Sequence, residues 1–354
     1  MNWKKLSLSL CILLTVAACN LPQEQPIVFE RPEVLQFIHP PGTPLPPGVT
    51  PAPPERVNLV DELISGISVN NLRSWVDALA AVPSRHVHNP GRHQAAEMIF
   101  EGFSSSGGRL NVAYQDFEIE FDGLISQQRN VIARLPGSDP DIGVVLIGAH
   151  YDSRLDELTD GSNPAPGAND NASGVAALLE IARLLSDQTP IANIDFVAFG
   201  AEEVGALGSE FYLQTVQERG EVVRGVIILD IVGNSAGAVG NGVIRAFSSP
   251  PDTSVSRQLA RWVSSVALVY TPDLHVQVEP SLDRPGRYSD HVPFSRAGIP
   301  AIRLIEAVEV ASRQHSPFDL PQYVDVEYLR QAAQLGLASV VNLAFGFELP
   351  APEN

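Results

Sequence analysis

The sequence predicts an α/β fold: a largely parallel sheet covered by helices on both faces. Short apolar runs alternate with longer amphipathic stretches, the pattern of strands joined by crossover helices. Three runs, Val144–Ala149, Ile194–Gly200 and Gly225–Leu229, are read as apolar throughout, as strands enclosed between two helix layers must be. Each leads within two residues to one able to ligate a metal: His150, Glu202 with Glu203 after Ala201, and Asp230.

In chain order, helical spacing over Asn70–Ala81 and Arg92–Ser106 precedes strands at Leu110–Phe117 and Asn130–Leu135. The strand at Val144–Ala149 leads through a polar loop to a helix at Ala172–Leu185, rich in good helix formers. A helix at Ser209–Arg219 separates the second and third ligand-bearing strands. Strands at Val243–Ser248 and His275–Glu279 bracket a helix at Thr253–Val269, and a strand at Ala301–Ile305 with a helix at Val326–Phe345 completes the pattern. The Gly-rich stretch Ile231–Gly242 lacks the Gly-Lys-Ser/Thr ending of a phosphate loop and reads as a connection. No Gly-x-Ser-x-Gly elbow is read between a strand and a helix, which sets Ser-His-Asp catalysis behind metal chemistry.

The strand-end residues define that chemistry. Asp170 precedes the helix at Ala172–Leu185, where exposed N–H groups and the helix dipole favour a carboxylate. His315 follows the strand at Ala301–Ile305 by a loop. In open α/β sheets the crevice beyond the carboxyl ends of the strands is the usual ligand site, so the set can converge there. Two divalent cations about 3.5–4 Å apart require about three protein ligands each, with a shared carboxylate. His150, Asp170, Glu203 or Glu202, Asp230 and His315 meet that demand. Nitrogen and oxygen donors without thiolate suit zinc, with cobalt or manganese as substitutes. Of the adjacent glutamates, one can bind metal while the other takes a proton from water. Asp152 is placed to accept the other ring N–H of His150 and fix its tautomer. Singly, each residue has a plainer reading as a surface histidine or a helix cap; number and order carry the metal reading. His39, His86, His88, His93 and His275 match no ligand position and read as surface residues. Asn171-Ala172-Ser173 fits a glycosylation acceptor, which its place inside the metal loop discounts.

Six strings, in order, resemble peptidase family M28: Gly148–Ser153, Gly167–Gly174, Gly200–Glu203, Leu229–Gly233, Ser289–Phe294 and His315–Pro317. The resemblance covers roughly residues 70–347. It implies a zinc-aminopeptidase fold of the phosphorylase/hydrolase-like kind, a mixed, mostly parallel sheet of about eight strands. It implies that Asp170 bridges two zinc ions, that His150 and Asp230 complete one and Glu203 and His315 the other, and that Glu202 is the general base. It also implies a cis peptide bond between Asp170 and Asn171 and a structural role for Asp290 and His291. The chain departs from the family pattern where some relatives carry Tyr before the last His: here stands Gln314, with Tyr288 or Tyr151 as replacements at the oxyanion. Where some relatives carry Arg before Ser-Asp-His, this chain has Tyr288, with Arg287 one step earlier. The expected activity is removal of N-terminal residues from peptides with a free amino end. A glutaminyl cyclase with one working zinc, or a non-catalytic binding protein on the same fold, are the alternatives.

The remaining sequence bears on location. Lys4 and Lys5 precede an apolar run, Leu6–Ala18, too short to span a bilayer of about 30 Å. Residues 1–18 read as an export signal, and Val16-Ala17-Ala18-Cys19 resembles a bacterial lipobox, making Cys19 the expected lipid anchor, with an ordinary signal peptidase site at Ala18 as the rival reading. The Pro-rich stretch 19–56 reads as a semi-rigid tether, 57–348 as the metallopeptidase domain and 349–354 as a tail. The expected location is the cell surface or periplasm. The chain's two cysteines, Cys11 and Cys19, leave none for a disulfide or thiolate site within the domain. A net charge of −18 without a basic stripe argues against nucleic acid.

Overall fold

The computed structural model describes residues 57–235, 240 and 242–346. The expected signal, Cys19, the tether through 56, His39 and the tail lie outside them, as do residues 236–239 and 241. The frame is an eight-stranded mixed sheet in the order β1-β2-β4-β3-β5-β8-β6-β7. Its strands are β1 (Asn111–Phe121), β2 (Leu124–Leu135), β3 (Val144–His150), β4 (Asn193–Phe199), β5 (Val223–Leu229), β6 (Val243–Ser248), β7 (His275–Val278) and β8 (Ala301–Glu306). β3 pairs in parallel with both β4 and β5, β5 with β8, and β6 with β7, while β1–β2, β2–β4 and β6–β8 are antiparallel.

Alternation of side chains sorts the central strands between two cores. Val145, Ile147, Ala149, Phe196, Ala198, Ile227 and Leu229 enter the larger core. There they meet α1 (Asn58–Ser65), α2 (Val69–Ala80), α3 (Gly91–Ser105), α4 (Ser173–Leu185), α6 (Val255–Tyr270) and α8 (Val326–Ala344). Val144, Leu146, Val197, Phe199, Val226 and Ile228 face the other way, onto α5 (Leu207–Glu218) and the short α7 (His291–Arg296). All seven residues of β3 are buried, as the unbroken apolar run required.

Three features differ from the expectation. The N-terminal strands are longer and form one hairpin, turning at Asp122 and Gly123 with φ of 52° and 70°. Consecutive left-handed residues are what a two-residue hairpin loop needs, and Asp-Gly supplies them. Helix α1 was not anticipated, although Val60, Leu63 and Ile64 bury at helical spacing. The strand at Ile194–Gly200 is not wholly apolar: buried Asp195 accepts from Arg134 Nε at 2.7 Å and from the Tyr212 hydroxyl at 2.6 Å, and Arg134 reaches on to Glu221.

The topology places the site. From β3 the chain crosses through α4 to β4 on one side, then returns over β3 through α5 to β5 on the other. Strand order therefore reverses at β3, where a crevice opens beyond the carboxyl ends. His150 is the last residue of β3.

Candidate metal centre

Five segments converge on this crevice: the ends of β3 and β5, the turn before α4, and the loops after β4 and β8. His150 Nε2 lies 3.2 Å from Asp230 Oδ1, 3.4 Å from Asp170 Oδ1 and 3.9 Å from Glu202 Oε2. His315 Nε2 lies 3.2 Å from Asp170 Oδ2 and 3.3 Å from Glu203 Oε2. Asp170 thus turns one oxygen to each imidazole. Three groups, His150–Asp170–Asp230, Asp170–Glu203–His315 and His150–Glu202–Glu203, each bring one possible ligand atom per residue within 4.8 Å of the others. The Asp170–Asn171 peptide bond is cis, as the family resemblance implied.

Holding these groups together takes local strain. Among the described residues, the non-glycine residues with left-handed φ are Asp122 in the hairpin and Ala201, Ala206, Ile231 and His315. Ala201 precedes Glu202, Ile231 follows Asp230, and His315 belongs to the cluster itself. For β-branched Ile231, at φ 59°, this backbone is a marked outlier. Such strain costs about 1–3 kcal/mol per residue and concentrates at functional sites.

Surrounding groups fix the cluster. The Asp152 carboxylate accepts the backbone N–H of Glu202 and of Glu203, each at 3.1 Å. Its expected bond to His150 is the weaker contact, 3.5 Å, and the nearer acceptor for His150 Nδ1 is the Asp152 carbonyl at 3.2 Å. Asp152 therefore shapes the glutamate loop as much as the imidazole. Asp230 Oδ2 accepts from Ser289 Oγ at 2.6 Å and pairs with Arg303 Nη2 at 2.9 Å, leaving Oδ1 toward His150. Asp319 accepts the Asn169 and Asp170 backbone N–H groups. Asn171, fully buried, donates to Leu229 O and accepts from the Gly174 and Ile231 N–H groups. Buried Arg85 donates to the carbonyls of Leu79, Tyr151, Pro166 and Gly167, cross-bracing the segments on either side of the loop 154–166. Within that loop, Arg154 Nε lies 2.7 Å from Glu203 Oε2.

The donor set fits a metal. Four carboxylates and two imidazoles crowd a buried space with no thiolate, a concentration of negative charge that a divalent cation relieves. Glu203 Oε1 has no hydrogen-bond partner. Burial pulls the His150 and His315 imidazoles down, yet the neighbouring carboxylates win, holding His150 well above its ordinary value and His315 up to about 9. Burial raises the Glu202 carboxyl well above its usual range, reinforced by Glu203 and Asp230 and opposed by His150.

Several expectations need correction. His86 is buried, with Nε2 2.9 Å from Leu158 O; His88 and His93 are half-buried, and His275 is exposed as expected. Tyr151 is buried and its hydroxyl donates to Arg129 O, which removes it as an oxyanion donor, whereas Tyr288 lines the cleft. Asp290 is buried, and burial pushes its carboxyl up to about 7 against the opposing pull of His150 and a hydrogen bond from Ser209. His291 Nε2 lies 2.8 Å from Leu282 O. One string, Gly233–Gly237, does have the elbow spacing. Its Ser235 hydroxyl donates to the Asp325 carboxylate. Arg85, Ser289, Arg303 and Asp319 were not anticipated as supports; a charged residue inside the apolar β8 run was the available signal for Arg303.

The family model described as "Peptidase family M28" matches residues 130–340, which span every residue of the cluster. The chain belongs to this family. A probable zinc metalloprotease of Leptosphaeria maculans is 30% identical over 84% of this chain and 78% of its own length. The LapA aminopeptidase of Legionella pneumophila superposes with a TM-score of 0.70 at 20% identity, over 86% of this M28 chain and 79% of LapA. The Bacteroides thetaiotaomicron glutaminyl cyclase bound to N-acetylhistamine does so with a TM-score of 0.64 at 22% identity, over 78% and 98%. At such identities the structural likeness establishes the fold, an eight-stranded zinc-aminopeptidase-like sheet.

Proposed function

We propose that this M28 peptidase is a metal-dependent aminopeptidase that uses two zinc ions. The observation that carries the reading is Asp170, whose two oxygens face two separate imidazoles, each with a second carboxylate beside it. His150, Asp170 and Asp230 would hold one ion, and Asp170, Glu203 and His315 the other. When bound, zinc supplies Lewis acidity toward a carbonyl oxygen and acidifies a water molecule. Glu202 is the proton acceptor: it is buried in the crevice, with Oε2 3.9 Å from His150 Nε2, and its neighbour Glu203 lies in the second ligand group. It then returns the proton to the leaving amine. Asp152 holds the 202–203 backbone in register for that transfer. Tyr288, on the cleft wall, is the chain's own candidate donor to the developing oxyanion. From the sequence of residues 1–56 we further infer export and anchoring through an acylated Cys19, so that the domain works outside the cytoplasm.

The test is a mixed pool of free and N-acetylated peptides, incubated with and without chelator and followed by mass. Stepwise loss of single residues from free amino ends, abolished by chelator, is expected. Loss of ammonia from N-terminal Gln peptides, with the others left whole, would instead favour a cyclase.

A further inference from the structure

The metal cleft encloses about 210 Å³, roughly seven times the ~30 Å³ that one water occupies in the liquid, which is room for the end of a short peptide. Although the chain carries a net charge of −18, four guanidiniums line this cleft: Arg154, Arg284, Arg287 and Arg303. Three are committed. Arg154 pairs with Glu203 at 2.7 Å, and Arg303 with Asp230 at 2.9 Å and Asp283 at 3.1 Å. Arg284 pairs with Asp283 and Glu309.

Arg287 is different. It is exposed at the cleft, and among the described residues its guanidinium pairs with no carboxylate, donating only through Nη1 to Gln314 Oε1 at 2.7 Å. The same carboxamide donates through Nε2 to Asp170 Oδ2 at 2.9 Å. Arg287 therefore stands two hydrogen bonds and the width of one carboxamide from the carboxylate that the two ligand groups share, and Gln314 positions it there. With two divalent ions held in the cleft, its four carboxylates, Asp170, Glu202, Glu203 and Asp230, are neutralised, and Arg287 is left without a counter-charge.

A peptide with a free amino end brings an ammonium that a guanidinium repels, so Arg287 suits the opposite side of the scissile bond. The group that the planar fork of a guanidinium matches best is a carboxylate, through two parallel hydrogen bonds. One residue of extended chain spans about 3.3–3.6 Å, which brings a carboxylate on the residue just after the scissile bond within reach of Arg287 when the scissile carbonyl is at the metal centre. We propose that Arg287 binds such a carboxylate. It makes the enzyme favour dipeptides with a free carboxyl end, or peptides with an acidic second residue, over their neutral counterparts. This role rests on the aminopeptidase reading.

The zinc-loaded protein is assayed on Leu-Gly against its C-terminal amide, and on Leu-Asp-amide against Leu-Asn-amide. The first pair reports a terminal carboxylate and the second an acidic side chain. In at least one pair the carboxylate-bearing member is expected to exceed its neutral partner in kcat/KM by about five- to tenfold, mainly through KM, the scale of a charged hydrogen bond discounted for exposure. Arg287→Gln lowers that ratio about fivefold, and Arg287→Lys, which keeps the charge without the fork, lowers it less. Comparing the ratio between wild type and variant cancels the intrinsic difference between an acid and its amide. Raising the ionic strength to about 1 M, where screening acts within about 3 Å, removes most of the preference. Neutral members cleaved as well as charged ones in both pairs overturn the proposal. So does a ratio unchanged in Arg287→Gln at wild-type zinc content and unfolding temperature, and a preference that salt does not weaken overturns it even if the variants do not fold. Calorimetric binding separates the two readings. If no peptide is shortened, the aminopeptidase reading falls; tighter binding of the carboxylate member of either pair, lost in Arg287→Gln, then keeps the carboxylate site, and equal binding overturns it too.

Discussion

Glu202 is the residue on which the proposed chemistry turns, and its replacement is the sharpest single-atom experiment. Glu202→Gln keeps shape and removes the base: kcat is expected to fall about 10²–10⁴-fold while bound zinc, measured by elemental analysis, stays near wild type. Retained turnover would transfer the role of base to another group. Tyr288→Phe asks a narrower question, since Gln314 stands where some relatives have Tyr. If the Tyr288 hydroxyl donates to the oxyanion, kcat falls about tenfold or more with little change in KM. Residues of this kind were legible in the sequence because each closes an apolar run or a recognisable string: His150, Asp170, Glu202, Glu203, Asp230 and His315 all converge. Their supports were not. Arg85 and Asp319 act on backbone groups that come together only in the folded chain, and no periodicity marks a side chain whose partners are distant carbonyls or amides.

At the scale of elements, the buried parallel strands could be read, since burial on both faces leaves an apolar run whatever the neighbours are. The hairpin was harder. Its outer half carries polar residues at half-exposed positions, and the turn signal at Asp122-Gly123 is only two residues long. That turn offers a clean test of backbone energetics, because a Cβ at Gly123 meets nothing within 4 Å. Gly123→Ala is expected to cost about 1–2 kcal/mol through its left-handed φ alone, read as a lower unfolding midpoint in denaturant with kcat unchanged. The Arg134–Asp195–Glu221 network ties β2, β4 and the start of the β5 segment. The Arg134 hydrogen bond holds the Glu221 carboxyl below its ordinary value despite partial burial. A depressed carboxylate stabilises above its unfolded pKa, about 4.3, and loses that contribution as pH falls through the folded value. Glu221→Gln should therefore cost up to about 1 kcal/mol at pH 7, with the gap to wild type closing below about pH 4.

Across the whole molecule, ligand atoms from five segments must meet, so metal and fold are linked. Chelation is expected to abolish activity and to lower the unfolding temperature, and added zinc to restore both in a concentration-dependent way, because anything bound only by the native state stabilises it. An unchanged melting curve after verified metal loss would show that the folded chain binds the metal no more tightly than the unfolded chain does. Asn171 gives the arrangement a practical consequence for production. Its amide sits in the interior, bonded to three backbone groups, yet Asn171-Ala172-Ser173 remains a perfect acceptor for N-linked sugar. In a eukaryotic secretory host the glycosylation machinery meets the chain before it has folded, and a glycan placed there would keep α4 and β5 from ever closing on each other. Yield from such a host would be set by a race between sugar transfer and folding, and Asn171 makes a bacterial host the sounder choice.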